Sequence, residues 1–355
     1  SIVNPEQESR VVSVDNNFHG ITDAKNLTTT RLEFAADKTT INAKSLGEKG
    51  ASFMAVSVDD ASRLDFTGTT VDINALIEND YPAVNVWKDD GNYPSVYHAS
   101  ALEISGFNFE DKGTAVTTSE NTTLNITMMG TGAKTSDSVY DTAGAPTVMG
   151  FGSEGGTFQM NGTTNVDVSA VGGAAVGAFL QAQALDDSWY SELKDGEWQW
   201  TALGKQIDHS AYATFEKPIT VKVHSETGPA IGLQLQGSCC NRDGDEMDGV
   251  AVPDHRTLDD STVVRWKTNG DFTLDVTKGD ANTHDTVGVR MIETPIGGTP
   301  ELFLNGKTII TADKALVTEY WPVDDGVNDA AVLPKSSSIV NPEQESRVVS
   351  VDNNF

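Results

Sequence analysis

Short strands of period two recur along this chain in threes, and this pattern limits what it can fold into more than any other feature. Each set opens on a short alternating strand and turns through Gly, Asn or Asp. It continues on a Thr-led alternating strand and closes, after a loop, on an Ala- or Gly-led apolar strand. Residues 31–34, 40–43 and 51–56 make one set, and 64–66, 70–73 and 83–87 the next. A third, with looser boundaries, draws on 102–104, 107–109, 115–116 and 124–126. Four more begin near Thr157, Thr214, Val264 and Leu302, and the first residues of the chain with His19-Gly20-Ile21 supply an eighth. Alternation buries one face of each strand. Strands this short cannot bury an inward face alone, so stacking each set on the next, at ~4.8 Å, is the economical solution.

The pattern predicts an all-β fold: a right-handed parallel β-helix, or β-solenoid, of about eight irregular coils per repeat with long loop insertions, each repeat about 38 Å long. Helical signals are confined to 73–80 and 187–193. A set of β-sandwich modules is the competing fold, but evenly sized units and a Cys-Trp-Cys pattern are missing.

Residues 1–18, SIVNPEQESRVVSVDNNF, recur at 338–355 without one substitution, a period of 337 residues (338 minus 1). Self-similarity at a fixed period marks an array. Residues 1–337 therefore read as one complete solenoid repeat, and 338–355 as the start of the next repeat or as a strand shared between subunits; a deliberately copied segment is the remaining explanation. The copied stretch is strand-like, with Arg347, Val348, Val349, Ser350 and Val351 after the turn at Asn341-Pro342. An open strand edge is a template for another strand. This assigns assembly to Ile339, Val340, Val348, Val349 and Val351, and to Val11, Val12 and Val14 in the first copy.

The formal charge of −28, from 24 basic and 52 acidic residues, argues against nucleic acid or an anionic membrane as partner. No apolar run reaches the ~18 residues of a membrane span, and Ser1 opens without a leader, so the chain reads as a mature extracellular or cell-surface fragment. The two cysteines, Cys239 and Cys240, are adjacent and form no disulfide framework. They are reduced loop thiols, a vicinal disulfide or a link to another chain.

Sets such as TFQMNGTTNVDVSAVGGAAVGAFL at 157–180 and RLDFTGTTVDINALIENDYPAVNVW at 63–87 resemble coils of the β-helical passenger domains of bacterial autotransporters and giant repetitive surface adhesins. The resemblance covers most of the chain and rests on periodicity and composition. It implies a secreted β-solenoid that holds binding loops away from the cell, although coil lengths vary and no outer-membrane barrel is present.

Two insertions carry the candidate sites. The acidic loop 238–260 places Asn241, Asp243, Asp245 and Asp248 at spacings from which oxygen atoms can wrap a hard cation, and calcium fits best. It is not an EF-hand, and a solvated acidic turn is the plainer reading. The insertion 183–212 carries Trp189, Tyr190, Trp198 and Trp200, whose flat faces suit sugars or a protein partner. They serve equally well to pack the insertion onto the solenoid wall.

Catalytic patterns are scarce. Residues 150–155 match a dinucleotide fingerprint without a βαβ unit and read as a flexible glycine turn. The six histidines show no zinc spacing. Asp72, Asp167 and Asp275 occupy comparable positions in three sets, as carboxylates converging for polysaccharide chemistry would, or as solvated outer residues. The sequence therefore favours a non-enzymatic structural repeat of an extracellular filament or biofilm adhesin, with copies of itself and cell-surface glycans as partners. The alternative is a β-helix that binds or degrades polysaccharide.

Overall fold

The computed structural model describes residues 9–16, 27–45, 53–78, 98–110, 112–133, 147–182, 186–237, 246–247, 250–251, 262–293 and 298–320. The protein is all-β, built on three long parallel sheets, an arrangement consistent with a β-helix. Sheet A has eight strands: Ser9–Val14, Phe53–Asp59, His98–Ser105, Thr147–Glu154, Ala175–Gln181, Ala230–Gln236, Thr286–Glu293 and Lys314–Tyr320. Sheet B has seven, Arg31–Phe34, Arg63–Phe66, Ala115–Thr118, Gly156–Met160, Ala211–Phe215, Val263–Thr268 and Thr299–Leu304. Sheet C also has seven, Lys38–Ser45, Thr70–Ile77, Thr123–Gly130, Thr163–Ala170, Ile219–Ser225, Phe272–Lys278 and Thr308–Thr311. The chain visits A, B and C in rotation, and each strand pairs with its equivalents one turn before and after.

Sheets B and C follow the alternation read from the sequence. In sheet C the register stacks Ile41, Ile73, Ile126, Val166, Val221, Leu274 and Ile310 in one inward column. Outward columns carry amide ladders: Asn165 Nδ2 donates to Asn125 Oδ1 at 2.9 Å, and Asn125 Nδ2 to Asp72 Oδ1 at 2.8 Å. Such stacked amides bond along the axis as the backbone does. In sheet B the inward column Val116, Phe158, Ala213, Trp266 includes the largest buried side chain, with the Trp266 ring 4.6 Å from Phe215 and 5.9 Å from both Phe151 and Phe272.

Sheet A departs from strict alternation. Phe53, Ala55, Val56 and Val58 all belong to the core, so the strand places two successive residues inward. The position of Ala55 is held by Ala101 in the next strand and by Gly150, Gly177, Gly232 and Gly288 in the four after it. A Cβ at Gly232 would lie 2.4 Å from Leu274 Cδ1 and 2.6 Å from the Gly288 carbonyl oxygen, so only the smallest residues fit where sheet A presses on sheet C. The outer face of sheet A is also covered: Met149, Val176, Ile231 and Val287 form a second apolar cluster there. Burial on both faces explains why these strands read as apolar runs.

Several sequence expectations are corrected here. Residues 150–155 are not a turn for the most part, since Thr147–Glu154 is a buried strand of sheet A. The helical signals at 73–80 and 187–193 fall on strands Thr70–Ile77 and Asp186–Lys194, because Val71, Ile73, Ala75 and Ile77 alternate inward and 187–193 pairs as a hairpin. Residues 102–104 close the second set as part of His98–Ser105, while 83–87 lie outside the described residues. Asp72 does not share a column with Asp167 and Asp275, and those two flank Lys222.

Candidate functional site

The connections between strands are distributed unevenly, and this singles out one face. Every B-to-C turn is two to four residues long, as at 67–69, 161–162 and 269–271. These turns nest on one another: a Cβ at Gly162 would lie 2.0 Å from the Thr122 carbonyl oxygen, and Asn305 Nδ2 donates to Asn269 Oδ1 at 3.0 Å. Long connections occur only beside sheet A, at 78–97, 131–146, 182–210 and 237–262 among others. The outer face of sheet A lies between these two borders.

That face carries charged groups in an apolar setting. At its start Asp59, 8% exposed, ion-pairs with Arg10 and accepts a hydrogen bond from Ser57 Oγ at 2.7 Å. Glu103, also 8% exposed, lies opposite Ser57 in the register and accepts from Ser100 Oγ at 2.6 Å. Burial pushes the Asp59 carboxyl above its usual range against the pull of the Ser57 hydroxyl and the Arg10 charge, and Asp15 and Glu103 push it further up. At the far end Arg290, almost fully buried, donates to Glu319 through Nη2 at 2.7 Å and Nε at 3.3 Å. A carboxyl raised beside a second carboxylate can hold a proton that it would otherwise lose. None of these residues was marked in the sequence, although a charge inside an apolar run, as in Ser57-Val58-Asp59 and Ala101-Leu102-Glu103, was the available signal.

The aromatic insertion is a two-stranded antiparallel ribbon, Asp186–Lys194 with Glu197–Ile207, turned at Asp195-Gly196, both with positive φ. The register pairs Trp189 with Ala202, Ser191 with Trp200 and Leu193 with Trp198, which puts positions 189, 198 and 200 on one face and Tyr190, opposite Thr201, on the other. Leu193, on the first face, is 60% exposed. The base of the ribbon is anchored: Ile207 packs with Leu27, Ala61, Phe107 and Phe109, Leu203 packs against them, Asp208 and Asn108 exchange backbone hydrogen bonds, and Lys205 ion-pairs with Glu110. The insertion ends before Ala211, which begins a strand of sheet B.

Of the assembly residues, Val11, Val12 and Val14 lie on Ser9–Val14, the first strand of sheet A, whose strand partner among the described residues is Phe53–Asp59. Val14 is buried, Val12 packs against the core and Val11 is 51% exposed. Ile339, Val340, Val348, Val349 and Val351 lie outside the described residues, as do Cys239 and Cys240. So do the proposed metal ligands Asn241, Asp243, Asp245 and Asp248; within that loop Glu246–Met247 pairs antiparallel with Val250–Ala251. Among the described residues there is no cluster of three or more metal-ligating side chains, and no helix is long and apolar enough to cross a membrane. No family model, no curated protein and no solved structure matches the chain.

Proposed function

We propose that the chain is a structural repeat of an extracellular filament or adhesin, a solenoid of about eight coils joined end to end by β-strand stacking. The observation that carries this reading is the position of the duplicated sequence. Its first copy contains Ser9–Val14, which opens the eight-stranded sheet. Its second places Ser346, the copy of Ser9, 32 residues after Lys314 (346 minus 314). Successive strands of sheet A start between 28 residues apart (175 minus 147) and 56 (286 minus 230). The copy therefore falls where a ninth strand of sheet A is due. Right-handed winding follows from the general preference of parallel crossovers. Calcium at Asn241, Asp243, Asp245 and Asp248 belongs to this reading as a stiffener of the acidic loop.

Electron microscopy and light scattering of the purified chain test the proposal. Filaments that thicken little and lengthen with concentration are expected. A species that stays monomeric up to about millimolar concentration, where weak self-contacts become populated, would sink it.

A second reading, polysaccharide binding or cleavage, is favoured by the Asp59–Glu103 pair on the face that the long connections border, and by the three tryptophan positions on one side of the ribbon. Incubation with a panel of polysaccharides addresses it. New reducing or unsaturated ends that disappear with Asp59→Asn are expected under this reading, and their absence together with unchanged tryptophan fluorescence removes it.

A further inference from the structure

Ser9–Val14 is the first rung of sheet A, and every residue of it has a copy elsewhere in the chain. Val12 pairs in register with Val56, Ser13 with Ser57 and Val14 with Val58. Val14 is buried, and Arg10 reaches Asp59. The copied segment repeats every group concerned as Arg347, Val349, Ser350 and Val351. Resting on the end-to-end reading above, we infer that residues 346–351 of one copy of the chain take the rung of Ser9–Val14 on the Phe53–Asp59 strand of a second copy, so that copies link by exchanging a strand of identical sequence.

The acceptor is built for this one occupant. Asp59 is buried beside Glu103, so an arriving strand without a cation at the Arg10 position leaves that carboxylate unopposed. The inward positions at Val12 and Val14 face the apolar core, so they require apolar residues two apart. Residues 346–351 meet both conditions by identity. Exchange replaces each contact by the same contact, which makes it a low-cost route to association. The contact is also heterologous, the end of one copy in the start of the next, and such contacts propagate as open filaments. The resident strand competes at the high effective concentration of a tethered segment, so linkage grows steeply with protein concentration.

Cross-linking between differently tagged chains tests the inference. Both chains carry Cys239→Ser and Cys240→Ser; one carries Val56→Cys and the other Val349→Cys. Register partners on adjacent strands lie about 4.8 Å apart, within the range that a disulfide spans. On oxidation of the mixture, a disulfide joining the two tagged chains, mapped between the introduced cysteines, is the expected result. A single chain with Val12→Cys and Val56→Cys should close on itself. Filaments without the cross-chain bond, while this control closes, overturn strand exchange and leave end-to-end stacking standing. Absence of any association overturns both. A control that does not close removes the rung itself and overturns the inference. In the otherwise natural chain, Val349→Asp should lower the polymer fraction about tenfold or more, the effect of ~1.4 kcal/mol, with an unchanged melting temperature; unaltered polymer would contradict the exchange.

Discussion

Arg10 and Asp59 are ion-paired across the first two strands of sheet A, yet the Asp59 carboxyl still titrates above its ordinary value of 3.8. Burial is the largest influence and outweighs the nearby guanidinium. The folded protein therefore binds a proton at Asp59 more readily than the unfolded chain does. Between the ordinary value and the raised one, stability falls as pH rises, and above the raised value the loss is complete. Asp59→Asn should abolish this component, so that the difference in urea midpoint between variant and parent shifts in the variant's favour as pH rises from about 3.8 toward neutrality. A difference independent of pH would show that Asp59 titrates normally.

Asp313 has the opposite dependence. Lys278 Nζ donates to its Oδ2 at 2.8 Å and the Thr286 amide at 3.0 Å, and these two bonds hold the carboxyl below its ordinary value, the lysine having the larger effect. The contact ties the end of a sheet C strand to the start of a sheet A strand across the turn at Asp313. Its stabilisation is present above the unfolded value and disappears as pH falls through the lowered native one. The carboxylate is half-exposed, so Asp313→Asn should cost no more than about 1 kcal/mol at neutral pH. That cost should vanish in strong acid. Chemical denaturation at both ends of the pH range measures it.

Glycine at position 232 is required by contact rather than by backbone angle. Alanine there would place its Cβ against Leu274 Cδ1 and the Gly288 carbonyl. The side chain can shift, but the carbonyl belongs to the neighbouring rung of sheet A. Gly232→Ala should cost about 1–3 kcal/mol, as overpacking of a filled core does. Gly196→Ala, at the tip of the ribbon with φ of 87° and open space around it, should cost about 1–2 kcal/mol from backbone strain alone. Urea denaturation gives the totals, and local proteolysis of the ribbon separates the two. Gly196→Ala should speed cleavage near the tip, whereas Gly232→Ala should act on global unfolding.

The parts of the fold that were legible in the sequence are those where period two and inward burial coincide. Thr163–Ala170 and Phe272–Lys278 were found because the inward residues Val166, Val168 and Ala170 of the one, and Phe272, Leu274 and Val276 of the other, are apolar and the residues between them polar. Sheet A was harder to see. Its strands are covered on both faces and carry glycine where sheet C presses against them, so Thr147–Glu154 had the composition of a turn and the geometry of a core strand. The charged residues on its outer face were hidden for a related reason. Asp59 and Glu103 are 44 residues apart (103 minus 59), and only the register of successive strands, which sets Ser57 opposite Glu103 and Asp59 opposite Ser105, brings them together. The ribbon was expected as an insertion, but the alignment of positions 189, 198 and 200 depends on the register that the two-residue turn at Asp195-Gly196 imposes from Lys194↔Glu197 to Trp189↔Ala202.

Trp266 offers a last test of how this core is balanced. Its ring is enclosed by Phe151, Phe215 and Phe272, while its indole N–H is buried without a hydrogen-bond partner. Shortening a buried aromatic ordinarily costs about 3–5 kcal/mol when it becomes alanine. An unsatisfied buried donor costs about 1–3 kcal/mol in the opposite sense. Trp266→Phe keeps a ring in the stack and removes the orphaned donor, so the two effects should nearly offset and leave a net loss below about 1.5 kcal/mol. Trp266→Leu removes the donor as well but abandons the ring contacts, and should be clearly worse. Urea midpoints of the two variants decide the matter. If Trp266→Phe proves as damaging as Trp266→Leu, the indole nitrogen has a partner such as a trapped water.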